Sequence, residues 1–345
     1  MGLRDEIGEQ PQVLRRWLET QLGQVEAVAR AIAQRPVDFV FLAARGTSDH
    51  AGIYAQYVWG QRNQLAVAFS APSLFTRYGG GPRLERALVV GVSQSGQSPD
   101  VVAVLADARR QGALTLALTN VPGSPLAQTA EFTLDLQAGP ERAVAATKTY
   151  TAELLALAAL SAVLNPADGA LEALGRVPDL VEAALALEGQ AAAAAQAQPG
   201  LTHGVVLGRG LHYTTAQEWA LKLKELAYVL ADPYSAADFQ HGPIAIVEPG
   251  FPVLAVAPSG AVCADVVALL RRLREDYAAE LLVISDDAAA RAVGQRSLEL
   301  PAGLPEWLMP LVGIVPAQLY TYHLTKAKGL DPEAPRHIRK VTETR

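Results

Sequence analysis

Short runs of branched apolar residues alternate with Ala- and Leu-rich stretches, and the chain spells this pattern out twice. In the first half, residues 37–44, 65–70, 87–93, 114–120 and 132–136 read as strands bounded by Gly, Pro, Ser or Asn, with helices over 48–60, 98–111 and 147–164. In the second half, strands are predicted over 204–208, 253–257, 281–285 and 297–300, and helices over 215–229, 264–276 and 307–328. The strands lack strict alternation, as parallel strands covered on both faces do. Repeated strand–helix–strand units build an open sheet with helices on both sides. The expectation is an α/β chain with two copies of one doubly wound domain, at 35–170 and 201–329. A helical extension over 1–34 precedes them, and an irregular tail over 330–345 follows. A connecting stretch at 171–200 is predicted to be helical over 177–198, although its AAAAAQAQPG also reads as a low-complexity linker.

Composition narrows the class. The chain has 345 residues, half of them hydrophobic and 19% charged, which suits two globular cores. A net charge of -6 without any Lys/Arg-rich run argues against nucleic acid or an anionic membrane as partner. One cysteine, Cys263, allows no internal disulfide and fits a reducing compartment. The charged N-terminus lacks the apolar core of a signal peptide, and no apolar run approaches the roughly 20 residues of a membrane helix. A cytoplasmic enzyme is the expectation.

In doubly wound sheets, ligands sit beyond the carboxyl ends of the strands, where strand order reverses. Two first-half loops follow strands directly and open helices: ARGTSDH at 44–50 and SQSGQSP at 93–99. Each offers hydroxyls, a glycine that lets backbone approach, and the unpaired N–H groups of a helix start, a combination that suits a phosphate dianion. Pro99 fits the first helical position and makes Ser98 a candidate N-cap. Capping alone is the competing reading of both loops. Neither follows dinucleotide or Walker spacing, so a small phosphate ester is indicated rather than a nucleotide.

For chemistry, Glu218, Lys222 and Glu225 fall at i, i+4 and i+7 and share one helical stripe. They read either as a solvated face with an ion pair contributing about 0.2–0.5 kcal/mol, or as a carboxylate base held beside a cation. His241, in ADFQHGP between a turn-rich stretch and an expected apolar strand, is placed to act as an acid or base or to be an ordinary surface histidine. His50 follows the hydroxyls of the first of these loops, His323 lies in a helix expected to be packed, and His203, His212 and His337 have no distinctive setting. The basic tail PRHIRKVT reads as a solvated end, or as an amine folded over a site and desolvated into a nucleophile. No Cys/His cluster has zinc spacing, no acidic set has a calcium-loop pattern, and GxSxG is absent, so no metal and no cofactor are expected.

Taken together, GTSDHAG, SQSGQSPD, VPGSPLA, VAATKTY, GRGLHY, EWALKLKELAY, FQHGP and RHIRKVT make the chain resemble the sugar isomerase (SIS) family, and within it the isomerase half of glucosamine-6-phosphate synthase. The resemblance runs from about Val37 to Lys340 and implies two tandem SIS domains of flavodoxin-like fold. It implies that Ser48, Ser93, Gln94, Ser95 and Ser98 bind the phosphate, with Thr47 close by. Val144 matches a backbone position that contacts the sugar; Ala146 stands where the synthase has a serine and offers no hydroxyl there. Glu225 matches the carboxylate that moves a proton between C1 and C2, and Glu218 and Lys222 match the neighbours that position it. His241 matches a ring-opening histidine that reaches in from a partner subunit, which implies a homodimer. Lys340 matches a lysine that forms an imine with the open-chain ketose.

The synthase also carries an N-terminal glutaminase domain with a cysteine nucleophile, whereas only about 35 residues precede the first strand here and they hold no cysteine. A module without that ammonia source suits the reverse direction, and SDHAG, SPD, VAATK and KVTxT look closest to the stand-alone deaminase branch. The expected activity is glucosamine 6-phosphate to fructose 6-phosphate and ammonium. Alternatives are a galactosamine-phosphate deaminase, a fructosamine-phosphate deglycase, a plain phosphosugar aldose–ketose isomerase, a glutamine-independent aminotransferase-like enzyme or, in another class, a sugar-phosphate-sensing regulator.

Overall fold

A computed structural model describes residues 2–166 and 169–340. Of these, one compact unit takes 2–11, 142–147 and 176–338, and the other takes the rest. Each unit holds one sheet.

The chain opens with two helices, α1 (Leu3–Gly8) and α2 (Gln10–Ala33). The first-sheet unit then runs β1 (Phe39–Ala43), α3 (Thr47–Asn63), β2 (Ala66–Phe69), α4 (Ser73–Thr76), β3 (Ala87–Val92), α5 (Pro99–Arg110), β4 (Leu114–Thr119), α6 (Pro125–Thr129), β5 (Phe132–Asp135) and α7 (Lys148–Leu164). All pairings are parallel, in the order β2-β1-β3-β4-β5. Every residue of β3 and β4 is buried, as expected of central strands covered on both faces. Helix α7 is buried from Lys148 through Ala162, so it shows no exposed polar stripe, and its Leu/Ala-rich C-terminal half is apolar on every face.

The second-sheet unit contains α8 (Ala170–Leu185, from Arg176 on), α9 (Glu188–Gln196), β6 (His203–Gly208), α10 (Leu211–Leu226), β7 (Leu230–Ser235), α11 (Ala236–Phe239), β8 (Pro252–Val256), α12 (Cys263–Glu275), β9 (Glu280–Ser285), α13 (Ala288–Val293), β10 (Arg296–Glu299) and α14 (Met309–Ala327). Its sheet is also parallel, with order β7-β6-β8-β9-β10, which repeats the first sheet strand for strand. Two tandem doubly wound α/β repeats are therefore the fold. Strand order reverses at β1/β3 in one sheet and at β6/β8 in the other, and the loops after those strands are the ones expected to face ligands.

Several local expectations are corrected. The single helix predicted over 177–198 is two helices, α8 and α9, separated by a short turn at Ala186–Leu187. The AAAAAQ stretch is not a linker: α9 buries Ala191, Ala194 and Ala195 and packs on α14, small side chains permitting close approach. Strand β7, LADPYS, was not expected; as an edge strand it tolerates Pro233 and exposes Leu230. Helix α10 begins at Leu211, four residues before its predicted start, and so takes in His212. The apolar strand expected after His241 is a 3-10 turn, Pro243–Ile246. Beyond Gly329 the described tail is irregular, and Val341 and Thr342 of the RHIRKVT motif lie outside the described residues. No described helix is long and apolar enough to cross a membrane.

Candidate active site

The two serine loops of the first-sheet unit flank the β1/β3 switch point. After β1, Gly46 takes φ +56 and ψ -127, and α3 starts at Thr47. Arg45 Nε donates to Asp100 Oδ2 at 2.7 Å, tying this loop to the first turn of α5. Ser48 is buried and donates its hydroxyl to Glu153 Oε1 on α7 at 2.8 Å. After β3, Ser93 Oγ accepts from Gly96 N at 3.2 Å and lies 3.3 Å from Ser98 Oγ, and Ser95 Oγ accepts from Gln97 N at 3.2 Å. The carbonyl of Gln94 accepts from Asn120 N, and that of Gly96 from Leu126 N, so the end of β4 and the start of α6 hold the loop from outside. Gly96 sits at φ +61, and a Cβ there would stand 2.0 Å from Ser124 Oγ. Only glycine fits.

Ser98 is the residue before α5 and Pro99 the first within it, yet the Ser98 hydroxyl makes no capping bond. Gly46, not a serine, holds the corresponding position before α3, also without a side-chain cap. Capping therefore does not account for these hydroxyls. A cleft of about 620 Å³ in the same unit runs from Gln94 and Asn120 to Gly139, Pro140 and Glu141. Its far wall carries the Lys340 contact: Lys340 Nζ donates to Glu141 Oε2 at 2.6 Å.

In the second-sheet unit, Glu218 and Lys222 are buried, which excludes the solvated-face reading of the α10 stripe. Lys222 Nζ lies 3.3 Å from Glu218 Oε1 and 2.6 Å from Glu225 Oε2. Burial pulls the Lys222 pKa down, but the two carboxylates outweigh it and hold the ammonium above its usual value. Glu225 keeps 24% of its side chain exposed, so one carboxylate of the trio is reachable. His241 is exposed, after α11, and is followed by Gly242 at φ +137. Val144 and Ala146 are half-buried on a segment whose backbone is gripped by buried Glu6 of α1, through Arg142 N and Ala143 N. The tail is pinned to the end of α10: Tyr228 Oη accepts from Arg336 N at 2.8 Å, and the Arg336 guanidinium stacks 4.4 Å from the Tyr228 ring centre.

One unit, then, holds Thr47, Ser48, Ser93, Gln94, Ser95, Ser98 and Lys340, and the other holds Glu218, Lys222, Glu225, His241, Val144 and Ala146, of which Glu218, Lys222 and Glu225 are in direct contact. Sequence reasoning missed Glu141 and Glu153. The second had a signal, being the one carboxylate of α7, set just before its Leu/Ala-rich run.

The SIS domain profile matches residues 36–163 and 202–326, one stretch for each sheet. The chain is 34% identical, over 97% of its length, to glutamine–fructose-6-phosphate aminotransferase [isomerizing] of Pseudomonas syringae pv. tomato, and spans 57% of that protein. A solved structure of the C-terminal domain of glucosamine-fructose-6-phosphate aminotransferase from Francisella tularensis has 28% identity and a TM-score of 0.86, covering 96% of each chain. A Silicibacter pomeroyi DSS-3 protein, described as a candidate phosphosugar isomerase, is 36% identical with TM-score 0.86 over 96% of this chain and 100% of that one. Glucosamine-6-phosphate deaminase of Thermotoga maritima shares the fold at TM-score 0.78 and 21% identity, over 99% of each chain. The chain belongs to the SIS domain family and is of its phosphosugar-isomerase type, related to the SIS portion of the aminotransferases.

Proposed function

We propose that this chain deaminates an amino-sugar phosphate, converting glucosamine 6-phosphate and water to fructose 6-phosphate and ammonium. The observation that carries the reading is Glu225: a partly exposed carboxylate locked in place by a buried lysine that is itself locked by buried Glu218. A base fixed in this way is what proton transfer between adjacent carbons requires.

The hydroxyls and loop N–H groups around Ser93, Ser95 and Ser98, with the α3 and α5 helix starts, take the 6-phosphate. Because the Ser48 proton already goes to Glu153, Ser48 contributes its backbone N–H, or its hydroxyl after turning away. His241 opens the ring by moving a proton from O1 to O5. Glu225 removes the proton from C2 of the open-chain aldehyde and returns it to C1, leaving C1 an alcohol and C2 an imine. Water adds to C2 and the C–N bond breaks, giving the ketone and ammonium. Lys340 holds the carbonyl as an imine or steers its charge. Cys263, the sole cysteine of these residues, is buried and its thiol is pushed up to about 11 by burial and by Asp287, Asp286 and Glu306, so it supplies no thiolate for glutamine hydrolysis.

The deciding assay follows ammonium and fructose 6-phosphate from glucosamine 6-phosphate without glutamine; no ammonium from any hexosamine phosphate overturns the reading. Glu225→Gln is expected to lower turnover by about 10²–10⁴-fold with binding nearly intact. We further propose a homodimer in which the partner subunit's His241 serves each site. Mixing inactive His241→Ala and Glu225→Gln chains should then restore part of the activity, and no restoration would rule that arrangement out.

A further inference from the structure

The second-sheet unit carries a copy of the phosphate cradle in which something else is seated. Arg209-Gly210 follows β6 as Arg45-Gly46 follows β1, and Gly210 repeats the backbone of Gly46, with φ +59 and ψ -131 against +56 and -127. Arg209 Nη1 pairs with Asp265 Oδ2 in the first turn of α12 at 3.0 Å, as Arg45 pairs with Asp100 in the first turn of α5. Ser259-Gly260 follows β8 in the place that Ser95-Gly96 takes after β3, again with a positive glycine φ.

The differences are specific. Where α3 has Ser48 as its second residue, α10 has His212, only 1% exposed, with neither ring nitrogen hydrogen-bonded. Its Nε2 lies 3.8 Å from Glu306 Oε1. The other oxygen, Glu306 Oε2, accepts from Ala261 N at 2.9 Å, and the carboxylate lies so close to Gly260 that a Cβ there would stand 2.3 Å from the Glu306 carboxyl carbon. Asp286 takes the neighbouring donors, Ser259 N at 2.7 Å and Ser259 Oγ at 2.5 Å. A carboxylate against a glycine, accepting from loop amides before a helix start, occupies the position of a bound anion.

We propose that this second cradle is an anion site whose resident anion is the Glu306 carboxylate, and that a phosphate dianion takes its place once that carboxylate is removed. The class of ligand is a phosphate monoester or inorganic phosphate, recognised by the Ala261 amide that Glu306 now occupies, the start of α12 and the buried His212 ring, whose nitrogens make no hydrogen bond. The site is distinct from the first-sheet loops and does not depend on the reaction proposed above. In the intact chain it stays closed, because two carboxylates already satisfy its donors and repel a third anion.

The test titrates inorganic phosphate into the full chain with its histidine rings isotopically labelled, and follows the His212 resonance by NMR. In the native chain His212 is expected to stay put up to millimolar phosphate; in Glu306→Ala it should shift saturably. Glu306→Gln, which keeps shape but not charge, should gain thermal stabilisation by phosphate beyond that of the native chain, and serves if the alanine variant folds poorly. A His212 signal unmoved in a folded Glu306→Ala chain, or equal phosphate stabilisation of native and Glu306→Gln chains, overturns the proposal. A shift of His212 in the native chain also overturns it, since the site would then be open with Glu306 in place.

Discussion

Lys340 Nζ and Glu141 Oε2 are 2.6 Å apart, and the same buried carboxylate accepts from Thr149 N at 3.1 Å and Thr149 Oγ1 at 2.8 Å. The tail thus delivers its amine to an anion that α7 already holds rigid. The carboxylate fixes where the amine sits, and a group that is to meet a substrate carbonyl must be held in place. Glu141→Gln should lower kcat by about 10–10²-fold by misplacing the amine, with a smaller change in KM. Turnover equal to the native chain would reduce the pair to a structural clasp.

Gly96 and Gly46 separate clash from strain. Both have positive φ, but a Cβ at Gly96 would meet Ser124 Oγ at 2.0 Å, while at Gly46 it meets nothing within 4 Å. Gly96→Ala must push the SQSGQS loop off the end of β4, so KM for a sugar phosphate should rise more than about tenfold, the equivalent of about 1.4 kcal/mol. Gly46→Ala should cost about 1–3 kcal/mol of stability from backbone strain and change KM less. Steady-state kinetics beside denaturant melts distinguish the two.

How much of this was legible in the sequence follows from what is local. The central strands β3, β4, β8 and β9 could be read because two-sided burial writes them as runs of apolar residues broken only by an occasional Thr, Glu or Ser. Edge strand β7 could not, since one buried residue, Ala231, leaves no pattern and Pro233 reads as a breaker. The serine loops were visible because glycine, hydroxyls and a helix start sit within six residues. The pitch of Glu218, Lys222 and Glu225 was visible too, but not their depth, which depends on what covers α10. Glu141 as the partner of Lys340, 199 residues away, had no local mark at all. Nor did His212, whose environment is made by Glu306 from the far end of the sheet.

Lys222 should prove hard to replace alone. Lys222→Met would leave Glu218 buried without its cation, at a cost of about 3–5 kcal/mol, whereas Glu218→Leu with Lys222→Met should recover most of that loss. The pH dependence has a definite sign. Since the folded value of Lys222 lies above its usual 10.5, its contribution is fully present below pH 10.5 and is lost as pH rises through the folded value. The native chain should therefore weaken in strong alkali through this group, and the double variant should lack that component. Denaturant midpoints between pH 8 and 11.5 (about one unit beyond the ordinary lysine value) make the comparison.

His212 acts at the other end of the pH scale. Burial lowers its pKa from 6.5 to about 4, with Asp286 opposing the shift. A ring kept neutral in the fold but protonated in the unfolded chain costs stability as pH falls from 6.5 towards 4, because the unfolded state binds the proton first. The full difference corresponds to about 3 kcal/mol at about 1.4 kcal/mol per unit of pKa. His212→Gln should flatten that part of the acid limb while leaving stability above pH 7 to depend on packing alone. Melting curves from pH 7 to 4 give the slope directly, and an unchanged slope in His212→Gln would mean that the ring is not held neutral.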